Sequence, residues 1–203
     1  MTAVTIAVLL PVKAFHEAKA RLRPALTDAE RARLARWMAG RVVAAAAPHP
    51  VFVVCDDRAV AGWADSVGAT VLWRPARGLN AAVGDGFATL SGDGYSSIVV
   101  SHSDLPLAAD LGRFADAAAA TLVPDHRDDG TNVLALPAAL PFQFGYGAGS
   151  FHHHLAECRR LGVTARVVRD PLLALDVDTP DELADPRVQE VLPWQPTNPA
   201  SRH

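Results

Sequence analysis

The 203-residue sequence lacks the features that mark several large classes of protein. It has two cysteines, Cys55 and Cys158, which lie far apart and form no Cys-x-x-Cys pair, so we expect two reduced thiols. The first apolar run, VTIAVLLPVK, has no positive residues before it and is too short to span a bilayer. These absences exclude a disulfide-stabilised fold and predict a cytoplasmic protein that does not associate with membranes.

The charge balance is also unremarkable. The formal net charge is −3 and half of the residues are hydrophobic, which is typical of a globular protein and argues against nucleic acid as the main partner. The length fits one domain, which we place at residues 1–192. The segment 193–203, PWQPTNPASRH, is predicted to be a proline-rich tail.

Three common catalytic motifs are missing. The sequence has no Gly-x-x-x-x-Gly-Lys-Ser/Thr loop, no Gly-x-Gly-x-x-Gly turn and no Gly-x-Ser-x-Gly elbow. A P-loop nucleotidase, a Rossmann dinucleotide enzyme and a serine hydrolase of the usual type are therefore not indicated.

Buried strands alternate with amphipathic helices along the chain, which predicts a three-layer α/β fold. The sheet is expected to be mostly parallel or mixed, with helices on both faces. Thr27 and Glu30 have the spacing of a capping box and predict the start of the first helix. We also predict a helix over 108–120, a short strand over 172–178 and one terminal helix over 179–192.

Aspartates stand where strands are predicted to end. Asp104 follows one buried strand, while Asp176 and Asp178 would point to the same face of another. Like charges placed side by side are costly unless a cation lies between them, and carboxylate oxygens suit Mg²⁺. The sequence thus predicts a site for one or two Mg²⁺ ions, with the alternative that Asp104 caps a helix through a turn fixed by Pro106.

Two further segments could hold anions. The loop after the first strand carries Lys13, Lys19, Arg21 and Arg23, which suits polyphosphate oxygens, although a solvated basic loop fits the same residues.

Near residue 150, Gly147 and Ser150 open a helix and Thr131 opens a strand, which together favour a carboxylate or phosphate site. The alternative is a capped helix after a glycine-rich turn. Of the run His152–His154, His154 is the one expected to face this site.

Four motifs, in order, resemble the CofC/FbiD guanylyltransferases of deazaflavin coenzyme F-420 biosynthesis. They are PVKAFHEAKARLRPAL, HSDLPL, DGTNVLALP with YGAGSFHHH, and ALDVDTPDEL. The resemblance implies a GT-A-like nucleotidyltransferase fold and dependence on Mg²⁺.

By motif, the resemblance also assigns roles to residues. The metal ligands would be Asp104, Asp176 and Asp178, with Asp104, Lys13 and Lys19 catalytic; the nucleotide would be bound by Lys13, Lys19, Arg23 and Asn80, and the acid by Thr131, Gly147 and Ser150.

The expected reaction transfers GMP from GTP to the phosphate of a small carboxylic acid and releases pyrophosphate. The acid is left open among phosphoenolpyruvate, 2-phospho-L-lactate and 3-phosphoglycerate. A monomer or homodimer is expected, with the product passed to a deazaflavin transferase. The alternatives are a sugar-phosphate or molybdopterin nucleotidyltransferase, whose Gly-x-x-x-Arg-Met-Gly loop is absent here, and a non-catalytic nucleotide-binding relative.

Overall fold

The computed structural model describes residues 4–195, which form a seven-stranded sheet covered by helices. Its strands are β1 Ile6–Pro11, β2 Val51–Cys55, β3 Thr70–Trp73, β4 Ser97–Ser101, β5 Ala120–Pro124, β6 Thr131–Pro137 and β7 Ala165–Val167. Its α-helices are α1 Asp28–Ala45, α2 Arg58–Ser66, α3 Leu79–Gly92, α4 Ser150–Arg160, α5 Pro180–Leu183 and α6 Pro186–Val191.

The strand order places a switch in direction beside β1. The order is β3-β2-β1-β4-β6-β5-β7, and β6 alone runs antiparallel to its neighbours β4 and β5. The chain moves outward from β1 to β3 and then returns to the other side of β1 with β4. In open α/β sheets, ligands bind at such a point, outside the carboxyl ends of the strands.

The core lies on both faces of the sheet because successive residues of β1 point in opposite directions. Val8 and Leu10 pack with α1 and α2, whereas Ala7 and Leu9 pack with α3 and α4. All four residues are fully buried. The predicted three-layer mixed fold is therefore confirmed.

The capping box that predicted α1 is present. The Thr27 hydroxyl accepts the Glu30 N–H, and the Glu30 carboxylate accepts the Thr27 N–H.

The predicted helix over 108–120 is wrong. Only Leu111–Phe114 form a turn of 3-10 helix, and the alanine-rich end of the segment enters β5 instead. The Asp116 carboxylate accepts the N–H of Ala118, which closes a local turn that competes with a helix. Pairing of β5 with β6 and β7 overrides the helix propensity of alanine.

The predicted strand over 172–178 is also wrong, although its alternating burial is real. Leu173, Leu175 and Val177 are buried, but the segment joins no sheet ladder.

The terminal helix predicted over 179–192 is broken in two. Asp185 precedes Pro186, and a proline disfavours helical backbone at the residue before it. Asp185 instead caps α6 by accepting the N–H of Arg187, so a new helix begins at Pro186.

Most of the predicted tail, residues 196–203, lies outside the described residues. Within residues 4–195, every helix is too short or too polar to cross a bilayer.

Candidate active site

A cavity of about 600 Å³ opens at the carboxyl ends of β1 to β4. Each of these strands contributes residues just past its end: Lys13 follows β1, Asp56 follows β2, Arg74 follows β3 and Asp104 follows β4. The cavity therefore lies at the switch point that the strand order defines.

Three aspartates converge beside this cavity, and two of them, Asp104 and Asp178, line it. Asp104, Asp176 and Asp178 each offer a carboxylate oxygen, and these oxygens lie within 4.8 Å of one another. The Val177 N–H donates to the backbone oxygen of Asp104 at 3.2 Å, which joins the segment that carries the other two aspartates to the end of β4. The predicted convergence is thus present, although Asp176 and Asp178 are not in a strand.

The Lys19 ammonium lies between two of these carboxylates. Its Nζ atom is 2.7 Å from Asp104 Oδ2 and 2.6 Å from Asp178 Oδ1, and its side chain is 7% exposed. Burial disfavours the charged ammonium, but the two carboxylates outweigh burial and raise the pKa of Lys19. Asp104 is buried too, yet Lys19 and His102 hold the pKa of its carboxyl below the ordinary value.

Asp176 has a weaker partner. Its carboxylate accepts a long hydrogen bond of 3.4 Å from the Asn132 amide, which also donates to the Leu173 backbone oxygen at 2.9 Å. Burial and the neighbouring Asp104 charge raise the pKa of Asp176. Sequence reasoning missed Asn132, whose only signal was its place beside Thr131 in the Gly-Thr-Asn motif.

The donor set fits a hard divalent cation. The three candidate ligands are all carboxylates, which Mg²⁺ and similar ions prefer. Asp104 Oδ1 is buried and has no hydrogen-bond partner among residues 4–195. An unpaired buried carboxylate oxygen is costly and is explained if an ion binds there. The alternative that Asp104 caps a helix is not supported, because its Oδ2 accepts from the Lys19 ammonium and its Oδ1 accepts no N–H among residues 4–195.

The loop after β1 offers backbone donors as well as cations. Lys13, Ala14 and Phe15 line the cavity, and across the described chain their N–H groups donate no hydrogen bond. Successive free N–H groups form an anion-binding surface. Lys13 is exposed to the cavity, so this predicted residue joins Lys19 at the site.

Three of the other residues proposed for the nucleotide do not line the cavity. Arg21 and Arg23 are exposed on the turn that follows Lys19. Asn80 exchanges two hydrogen bonds with the backbone of Tyr146, at 2.7 and 3.2 Å. Asn80 therefore ties α3 to the glycine-rich segment before α4.

Thr131, Ser150 and His154 form a buried hydrogen-bonded group near that segment. The Ser150 hydroxyl accepts the Thr131 N–H at 3.0 Å, and His154 Nδ1 lies 3.0 Å from the Thr131 hydroxyl. His154 Nε2 accepts the Gly145 N–H at 3.1 Å, so Nδ1 is the protonated nitrogen of the neutral ring.

Gly147 is the predicted residue of this group that is open to solvent. Its φ of +131° is a backbone conformation that favours glycine. Within residues 4–195, neither its N–H nor that of Ala148 has an acceptor.

Two cavity residues were not singled out from the sequence. His102 lies next to the aspartates, with Nδ1 3.9 Å from Asp104 Oδ1, and its ring packs against Tyr146. Arg77 also lines the cavity and pairs with Asp85 at 3.2 Å. A lone histidine or arginine in a loop carries no signal of this kind in the sequence.

A mixed α/β sheet whose cavity is lined by two lysines, free amides and candidate metal-binding carboxylates is the arrangement expected of a nucleotidyltransferase. The chain matches the family described as "Guanylyl transferase CofC like" over residues 6–188. It belongs to this family of guanylyl transferases.

Individual relatives agree with the family. The chain is 39% identical to a phosphoenolpyruvate guanylyltransferase of Rubrobacter xylanophilus, over 87% of this chain and 90% of that protein. It is 32% identical to a 2-phospho-L-lactate guanylyltransferase of Methanothermobacter thermautotrophicus, over 87% and 82%. Its fold is similar to that of a nucleotidyl transferase from Methanothermobacter, with a TM-score of 0.62 at 16% identity, over 92% and 96% of the two chains.

Proposed function

We propose that the chain transfers GMP from GTP to the phosphate of phosphoenolpyruvate, or of a close analogue, and releases pyrophosphate. The observation that carries this proposal is the convergence of Asp104, Asp176 and Asp178 beside Lys19, next to a cavity with free backbone N–H groups. Carboxylates for a metal and cations for phosphate oxygens are what phosphoryl chemistry needs, and no nucleophilic side chain is required.

The metal would be held by the three aspartates, as their oxygen donors and the unpaired Asp104 Oδ1 suggest. Bound there, Mg²⁺ would supply positive charge to the phosphate oxygens. Lys13 and the amides of Ala14 and Phe15 would bind the triphosphate from the β1 side of the cavity.

The chemical step needs little from the protein beyond position and charge. An oxygen of the acid's phosphate attacks the α-phosphorus of GTP, the bond to the β-phosphate oxygen breaks, and pyrophosphate leaves with that electron pair. A phosphate monoester is mostly dianionic near pH 7, since its second pKa is about 6, so no strong general base is needed. The lysines reduce the repulsion between the two anions.

The carboxylate of the acid would bind at the start of α4. The free N–H of Gly147 and the positive end of the helix are available to it, and the buried Ser150 and Thr131 hold this turn in shape. This arrangement would leave the phosphate of the acid free to face the α-phosphorus.

Two choices in the proposal rest on the relatives. Guanine is preferred to adenine because both reported relatives are named guanylyltransferases. Phosphoenolpyruvate is preferred to 2-phospho-L-lactate because the relative named for it is the more similar, at 39% against 32% identity. The place in coenzyme F-420 biosynthesis, before a deazaflavin transferase, follows from the family resemblance.

Pyrophosphate release tests the proposal. The purified protein is given Mg²⁺ and either GTP or ATP, together with phosphoenolpyruvate, 2-phospho-L-lactate or 3-phosphoglycerate. We expect release that needs both GTP and an acid, fastest with phosphoenolpyruvate. Equal or faster release with ATP would refute the choice of base, and release independent of any acid would refute the transfer.

A further inference from the structure

Both lysines of this chain lie at the same cavity. Lys13 and Lys19 are its only lysines, since 17 of its 19 basic residues are arginines, and both lysines line the cavity. An ammonium is a compact point charge on a flexible stem, whereas a guanidinium has a fixed planar fork. A site that needs a cation to change partners therefore favours lysine over arginine.

The two lysines differ in what they contact. Lys19 is 7% exposed and donates to both Asp104 and Asp178. Lys13 is exposed and, within residues 4–195, has no ion pair. One lysine is thus committed to the aspartates, and the other is open to the cavity.

The position of Lys19 conflicts with metal binding at the same oxygens. A cation that took both Asp104 Oδ2 and Asp178 Oδ1 would need the space that the ammonium fills, since Nζ lies 2.7 and 2.6 Å from these two atoms. The remaining oxygens, Asp104 Oδ1, Asp178 Oδ2 and the two of Asp176, accept no hydrogen bond from Lys19. A divalent ion can bind these oxygens first, and it gains access to Asp104 Oδ2 and Asp178 Oδ1 when the ammonium leaves.

The proposed triphosphate would give a displaced Lys19 a second anionic partner in the same cavity. Lys19 lines the same cavity as the loop of Lys13 and Ala14, where the triphosphate is proposed to bind. An ammonium that leaves two carboxylates loses strong charge-assisted hydrogen bonds, so its release is favoured when phosphate oxygens replace them.

We propose that Lys19 is the residue that couples metal binding to nucleotide binding: it neutralises Asp104 and Asp178 in the free protein and exchanges them for phosphate oxygens in the loaded site. This inference rests on the proposed function, from which it takes the metal and the triphosphate. In the free protein Lys19 donates to the two aspartates and competes with a cation for them. It touches the substrate only after the exchange.

Chemical labelling of lysine tests the exchange without any turnover. Trace acetylation with acetic anhydride, read by mass spectrometry, gives separate rates for Lys19 and for Lys13, which is the control within the same molecule. We expect Mg²⁺ alone to raise the rate at Lys19 about tenfold or more, since a charge-assisted hydrogen bond is worth at least that factor. Adding GTP with Mg²⁺ should lower the rate at Lys19 again. An unchanged rate at Lys19 upon addition of Mg²⁺ would overturn the proposal.

Direct metal binding gives a second test. Electron paramagnetic resonance of free Mn²⁺ measures the affinity of the nucleotide-free protein, compared between wild type, Lys19→Met and Lys13→Met. Loss of the competing ammonium should tighten Mn²⁺ binding about tenfold in Lys19→Met and not in Lys13→Met, whereas the affinity of Lys19→Met for GTP should fall. Unchanged or weaker Mn²⁺ binding in folded Lys19→Met would contradict the exchange. Should Lys19→Met not fold, wild-type labelling still decides.

The tests of the Lys19 exchange can fail or succeed independently of the test of the proposed function. Labelling and Mn²⁺ binding use no acceptor acid, and pyrophosphate release uses no lysine variant. Release of pyrophosphate from GTP and an acid, combined with an unchanged labelling rate at Lys19, would refute the exchange of Lys19 and support the proposed transferase reaction. Exchange without any release would keep the coupling and refute the proposed reaction.

Discussion

At the scale of single residues, Asp176 and Asp178 make different contacts although both are candidate metal ligands. Asp178 is paired with Lys19, whereas Asp176 is held by one long hydrogen bond and repelled by Asp104. We expect Asp176→Asn to lower turnover by about a hundredfold or more, because it removes a ligand of the metal ion that is proposed to neutralise the phosphate oxygens. Its thermal midpoint should not fall, since like-charge repulsion is relieved. Full turnover in this variant, or in EDTA, would contradict the metal site.

Ser150 is predicted to act on the acid and not on the nucleotide. Ser150→Ala removes the acceptor of the Thr131 N–H and disturbs the turn at the start of α4. We expect KM for phosphoenolpyruvate to rise by about one to two orders of magnitude, while Kd for GTP stays nearly unchanged. If GTP binding collapses and the KM for phosphoenolpyruvate does not move, Ser150 supports the nucleotide site and not the acid site.

His154 gives a pH dependence of stability. Burial lowers the pKa of His154 to about 4, with His153 and His102 acting in the same direction and Glu157 opposing them. The unfolded chain binds this proton near pH 6.5, so the stabilising contribution is complete above that pH and is lost as the pH falls towards 4. Urea unfolding at pH 7 and pH 5 should show wild type losing more stability than His154→Gln, by up to about 2 kcal/mol. Equal losses would show that His154 is already charged in the fold or is not buried.

The sequence predicts which candidate ligands come together when they follow the ends of predicted strands. Asp104, Asp176 and Asp178 were placed together from their positions after apolar runs, and they do converge. The partner of Asp178 could not be predicted, because it depends on how the loop of Lys19 folds back, across 159 positions of sequence.

At the scale of elements, the short helix α5 fixes the backbone of Asp178. The Glu182 carboxylate accepts the N–H groups of Asp178 and Thr179, both at 2.8 Å, and pairs with Arg127 at 2.7 Å. Glu182→Ala should weaken Mn²⁺ binding about 10- to 100-fold, as loss of a supporting contact to a ligand usually does. Glu182→Gln keeps an oxygen acceptor and should lose much less. Equal Mn²⁺ affinity in the alanine variant and wild type would refute this role.

The elements that were predicted wrongly share a cause. Over 108–120, alanine propensity favoured a helix, but the sheet needed Ala120 as the start of β5. Over 172–178, alternating apolar residues favoured a strand, and the alternation does bury Leu173 and Val177. Local pattern records which side of a segment is buried but not which partner it finds, so tertiary pairing decided both cases.

At the scale of the whole molecule, strand order assembles the site. Lys13, Asp104 and Asp178 are far apart in sequence, and the switch between β1 and β4 brings the ends of the strands together. Alternating strands and helices were enough to predict this class of sheet and to expect a ligand at the carboxyl ends of its strands, where the cavity lies. The single antiparallel strand β6 and the extent of the cavity required the structure.

The central claim is that the phosphate oxygen of the acid attacks the α-phosphorus of GTP. Phosphoenolpyruvate labelled with ¹⁸O in its phosphate group tests it most directly, with mass spectrometry of both products. The predicted result is a guanylyl product that retains every labelled oxygen and pyrophosphate that contains none. Label in the pyrophosphate, or a GMP product with no acid attached, would contradict the account.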